Sequence, residues 1–198
     1  MMSEADLRNT ERRTYLLYFE DGIADIAGGL TVLSFGLGMV FDESMFFIFT
    51  WLLLFLFWPL KRVITVPRIG YVKFSPERQR RISKSMIILF IAGTLSLLLG
   101  VVAYLGVEGA AFNLQDFMME YSLLLFGAVM AAAFALIAIL FEVKRFYGYA
   151  ALVFSGWLVP YLLDVEPGLP VAVAGGTIAL IGLALLASFL VKYPVPSE

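Results

Sequence analysis

Two aspartates one helical turn apart, in the run Glu20-Asp21-Gly22-Ile23-Ala24-Asp25, are the residues best placed to do chemistry. Positions four apart share a face of a helix, so Asp25 stands about 6 Å further along the axis than Asp21. A carboxylate inside an apolar span is expensive, and by default it marks an ion or proton site or a buried pair. Asp21 and Asp25 are therefore the candidate ion or solute site. A purely structural role competes with that reading. Acids in a first helical turn complement the macrodipole, Asp21 can cap the helix, and Arg12, Arg13 or Arg68 can supply a counter-charge.

A second candidate is the basic stretch Val66-Pro67-Arg68-Ile69-Gly70-Tyr71-Val72-Lys73-Phe74, followed by Ser75-Pro76-Glu77-Arg78-Gln79-Arg80-Arg81. β-Branched and aromatic residues around Gly70 predict an extended stretch or small hairpin over 66–74. Ser75 and Pro76 then read as a helix start, with Ser as cap and Pro in the first turn. Arg68, Gly70, Tyr71, Arg78, Arg80 and Arg81 are candidates for contact with anionic headgroups or a cytoplasmic partner, with Arg68 also able to reach Asp21 or Asp25. The plainer role of such a loop is to set topology. A third, weaker candidate is the acidic pair Asp116 and Glu120, four apart, which would concentrate cations at the outer face.

Little other chemistry is open to the chain. It has no cysteine and no histidine, which removes disulfides, thiolate chemistry and the usual zinc, copper or iron ligands. A bound metal would have to be a hard cation held by oxygen. No phosphate-loop, nucleophile-elbow, dinucleotide or metalloprotease motif is present, so no catalytic residue, metal or cofactor is expected, nor a nucleic-acid partner. General-base work in an enzyme would fall to Asp, Glu, Lys or Tyr.

The elements that hold these residues are set by the solvent. Of 198 residues 61% are hydrophobic and 15% charged, and the mean hydropathy is +0.91, outside the range of soluble domains. A bilayer core of about 30 Å needs roughly 17 to 25 apolar residues per helix. Six runs approach that length, at 22–41, 45–60, 85–107, 121–141, 146–163 and 169–191. The second is short, and Lys61 and Arg62 are expected to snorkel to the interface at its end.

Every Lys and Arg falls on one side of these runs: Arg8, Arg12 and Arg13, the loop 61–84, Lys144 with Arg145, and Lys192. Asp42, Glu43, Glu108, Asp116, Glu120, Asp164 and Glu166 occupy the other. The positive-inside rule makes the first side cytoplasmic. The sequence thus predicts an all-α integral membrane protein, a six-helix bundle in the plasma (inner) membrane with both termini cytoplasmic. A cytoplasmic segment 1–21 precedes the membrane domain 22–192, and a tail 193–198 follows it. The first twenty residues do not read as a removable signal peptide.

Signs of repeated hairpins accompany this plan. Ile26-Ala27-Gly28-Gly29-Leu30 resembles Ile91-Ala92-Gly93-Thr94-Leu95, and Lys61-Arg62 with Gly70-Tyr71 resembles Lys144-Arg145 with Gly148-Tyr149. Small residues four apart, at Gly127, Ala131 and Ala135, at Ala128 and Ala132, at Gly175 and Ala179 with nearby Gly182, and at Ala24 and Gly28, allow close helix approach. Spans one, four and six are therefore expected to be tightly packed, while spans two and three show large side chains to lipid. Pro160, with Ser155 and Gly156, predicts a break in span five. The expected activity is transport or permeation of a small solute or ion past Asp25. The alternative is a non-catalytic membrane subunit or scaffold that holds anionic lipid or a partner through the basic loop. A homo-oligomer or a larger membrane complex suits either.

Overall fold

The computed structural model describes residues 18–43, 45, 46, 48, 59–69, 80, 83, 84, 87, 88, 91, 94 and 120–194. Within them lie five helices: α1 (Ile23–Phe41), α2 (Val66–Ile69), α3 (Ser122–Phe141), α4 (Arg145–Leu163) and α5 (Gly168–Lys192). Residues 59–64 are helical as well, and no strand occurs among the described residues. Four helices, α1, α3, α4 and α5, are long and apolar enough to cross a membrane. They match the first, fourth, fifth and sixth predicted spans to within a residue at each end. Most of the second and third predicted spans lies outside the described residues. Among those described there, Met45, Ile48, Ile87, Ile88 and Ile91 are exposed, as expected of lipid-facing positions.

The chain forms two compact units, one of residues 1–74 with 166–198 and one of residues 75–165. In the first, α1 packs antiparallel to α5 along two ladders of glycine. Gly22, Gly29 and Gly36 recur every seven residues on α1, and Gly168, Gly175 and Gly182 do so on α5. A methyl group on Gly29 would meet the backbone of Ala179 and Gly175, one on Gly36 the backbone of Ala172, and one on Gly175 that of Leu33. At Gly182 it would lie 2.6 Å from the Ile26 nitrogen. Such contact is how helices associate where lipid supplies no hydrophobic drive. The expectation for spans one and six is met, but through the seven-residue spacing rather than through Ala24 and Gly28, which are only half-buried.

In the second unit α3 and α4 form an antiparallel hairpin around aromatic pairs. Phe134 stacks on Phe146 at 6.2 Å and meets Tyr149 edge-on at 6.4 Å, while Phe126 stacks on Trp157 at 5.7 Å. Gly127 lies under Trp157, whose Cβ would stand 2.5 Å from an added methyl. Gly148 faces open space. Gly127→Ala is therefore expected to destabilise by about 1–3 kcal/mol, and Gly148→Ala to change stability by no more than about 1 kcal/mol, in the stabilising direction; thermal unfolding of the purified protein measures both.

Three sequence expectations are corrected here. Ala128 and Ala132 of span four are exposed rather than packed, because α3 turns Gly127, Phe134 and Ala138 inward. The helix α4 runs unbroken through Pro160 to Leu163. Pro160 lies in the last turn, where its missing N–H removes one bond and its ring leaves the next turn intact, and the Ser155 hydroxyl donates back to the Leu152 carbonyl at 2.8 Å. Residues 66–69 are helical rather than extended. The helix of 59–64 bends at Thr65 and resumes, since Pro67 has no N–H to bond the preceding turn while the amides of Arg68 and Ile69 both reach the Thr65 carbonyl, at 3.2 and 3.1 Å.

Candidate functional site

Residues 18–21 turn into α1 through Gly22, whose φ of 70° is left-handed. That turn aims Asp21 back over the helix start, where its Oδ1 accepts the Ile23 amide at 3.1 Å. The predicted cap is thus made from the residue before the N-cap. Gly22 is required twice, for its φ and because a methyl there would strike the Gly182 carbonyl.

The other carboxylate oxygen of Asp21 is met by the segment 59–69. The Thr65 hydroxyl donates to Oδ2 at 2.6 Å, and Lys61 Nζ stands 3.3 Å from the same atom. Lys61 and Thr65 are four apart on one helical face, so both reach Asp21 together. Lys61 also donates to the Tyr18 carbonyl at 2.6 Å. Its ammonium lies 3.8 Å from the centroid of the Tyr18 ring and 4.5 Å from that of Phe19. Lys61 is 1% exposed, and Asp21, Asp25 and Thr65 are fully buried.

Lys61 therefore departs from expectation. At the end of a short span it is expected to snorkel into water, and instead it is buried against residues 18–21, the turn that leads into α1. The inward position combines a carboxylate, a carbonyl and two ring faces, and these replace the hydration that a snorkelling ammonium seeks. Arg68, one of three cations offered as a counter-charge for Asp21 or Asp25, turns its Nη1 to the Ile64 carbonyl at 2.7 Å. Arg12, Arg13, Gly70, Tyr71, Arg78, Arg81 and Asp116 lie outside the described residues. Arg80 is exposed. Lys144, which the hairpin comparison set beside Lys61, is exposed too.

Asp25 lies one turn into α1, where the helix runs against α5. A methyl on Gly182 would come 3.0 Å from the Asp25 carbonyl carbon. The Glu20–Lys192 ion pair at 3.8 Å is open to solvent on both sides and contributes little.

At the start of α3, Glu120 is exposed and raises the pKa of the Tyr121 phenol above its ordinary value, first through its charge and then through a hydrogen bond. Tyr161, whose ring centroid is 6.3 Å from that of Tyr121, acts in the same direction. Glu120→Gln is expected to lower the Tyr121 pKa, so that this phenol ionises at a lower pH in a tyrosine-resolved NMR titration. An unchanged titration would dissociate the two residues.

The chain matches no protein-family model, and no curated protein or solved structure is significantly similar to it. The class of protein follows from the helices: four helices fit to span a bilayer, with no strand among the described residues, are consistent with an integral membrane protein.

Proposed function

We propose that the protein is a six-helix, non-catalytic subunit of the plasma membrane, whose basic loop 61–84 binds anionic lipid headgroups on the cytoplasmic side. The observation that carries this reading is the closed interface beside Asp25. There α1 and α5 meet backbone to backbone at Gly182, and the neighbouring Asp21 is occupied by Ile23, Thr65 and Lys61. A solute route predicts space at that point. With Lys61 drawn inward, Arg62, Arg80 and Lys84 are exposed cations among the described residues of the loop.

The direction of α5 requires an even count. Because α1 and α5 are antiparallel, an even number of crossings separates them, a condition that α3 and α4 alone satisfy and that two further spans at 45–60 and 85–107 preserve; the length and apolar composition of those two runs carry the count of six. An even total also places both termini on one side, and the distribution of Lys and Arg makes that side cytoplasmic.

Each headgroup-facing cation contributes about 1 kcal/mol. Arg80→Gln and Arg81→Gln are therefore each expected to weaken retention of phosphatidylglycerol by about fivefold, measured by native mass spectrometry, with phosphatidylcholine unaffected. Equal loss of both lipids, or of neither, would refute the lipid reading.

Transport past Asp25 is the second reading, supported by a carboxylate fully buried in a membrane-length helix. The chain contains no cysteine, so single thiols can be introduced at 25, 43 and 78 and exposed to a membrane-impermeant reagent from each side. Labelling at 43 from outside and 78 from inside, with none at 25, supports the subunit. Labelling at 25 supports the solute path instead.

A further inference from the structure

The group around the Lys61 ammonium has the composition of a ligand site. An ammonium carries three N–H donors and no acceptor. Here the Tyr18 carbonyl takes one at 2.6 Å and the Asp21 carboxylate lies 3.3 Å away. The faces of Tyr18 and Phe19 lie against it as well, where a ring quadrupole attracts cations.

Most of this cage is positioned by contacts that do not involve the lysine head. The Tyr18 and Phe19 rings hold each other edge to face at 5.8 Å and 83°. The Asp21 carboxylate is fixed by the Ile23 amide on one oxygen and the Thr65 hydroxyl on the other. The surroundings exclude solvent, since Lys61 is 1% exposed. A nitrogen 2.6 Å from a carbonyl leaves no room for an N-methyl group on that side, so the cage fits a primary ammonium and rejects a quaternary one.

We propose that Tyr18, Phe19 and Asp21 form a primary-ammonium-binding site that the chain fills with its own Lys61, and that a free primary amine occupies it once the lysine is gone. This goes beyond the lipid-binding role and holds under either reading of the bundle.

Lys61→Ala tests it, because the atoms deleted, Cγ through Nζ, are those of propylammonium. The variant is expected to lose thermal stability and to regain most of the lost Tm in millimolar propylammonium. 1-Propanol, which fills the same volume without charge, should restore little, and tetramethylammonium nothing. The wild-type Tm should not respond to the amine, and Asp21→Asn placed in the Lys61→Ala background should abolish the recovery. Absence of recovery, or equal recovery with propanol, overturns the proposal. If Lys61→Ala does not accumulate, it is expressed with propylammonium in the medium. Folded protein only in its presence supports the site, and none in either condition overturns it.

Discussion

Gly29→Ala and Gly175→Ala are each expected to lower the apparent Tm by on the order of 5 °C or more. An added methyl at either position strikes backbone on the facing helix, Ala179 in one case and Leu33 in the other, and backbone cannot rotate out of the way. The two helices must separate, forfeiting dispersion along their whole contact, which overpacking puts at about 1–3 kcal/mol or more. Gly176→Ala is the internal control. Its neighbour in sequence stands at the crossing, yet a methyl on Gly176 would meet only the tip of Leu33 at 4.0 Å, and its stability should hold or rise slightly. If Gly175→Ala and Gly176→Ala behaved alike, the crossing of α1 and α5 described here would be wrong.

Asp21→Asn is expected to have the second large effect, a loss of about 3–5 kcal/mol, because it removes the Asp21 charge 3.3 Å from the buried Lys61 ammonium. Lys61→Met should be destabilising as well, though Asp21 then keeps the Ile23 amide and the Thr65 hydroxyl. The double variant is expected to be more stable than the sum of the two losses implies, with a coupling of about 0.5–3 kcal/mol. Denaturation of the four proteins in one detergent gives the coupling, and additive losses would show that the two side chains do not act as a pair.

Much of the helical layout was legible because it follows from solvent alone. The limits of α1, α3, α4 and α5 fall where the apolar runs end, since a membrane-length helix stops where polar residues can be hydrated. The tight pairing of spans one and six was legible too, through their small residues. The contact face was legible on α5, where Gly175, Ala179 and Gly182 stand at the crossing, and at Gly127 on α3. On α1 it was not: Gly22, Gly29 and Gly36 stand at intervals of seven, whereas the four-residue rows point to Ala24 and Gly28, and on α3 to Ala128 and Ala132 as well.

Within the site, the cap made by Asp21 could be read from its place before an apolar run. Its partners could not. Thr65 and Lys61 lie 44 and 40 positions away along the chain, and sequence gives the same charge pattern whether a lysine at a span end reaches for water or for the turn that enters another helix. The useful signal was the pairing of Lys61 with Thr65 one turn later, a cation and a hydroxyl on one face of a helix.

The partnership of α1 with α5 also imposes an order on biogenesis. Between Phe41 and Gly168 the ribosome must synthesise all of residues 75–165 and more, which at about 5–20 residues per second takes on the order of 10 s. For that interval the glycine face of α1 has entered the membrane without the helix it is shaped for. A nascent chain stalled before Gly168 would expose that face to lipid and to the quality-control proteases of the membrane, so truncation within α5 should be read by the cell as a defect of the first helix.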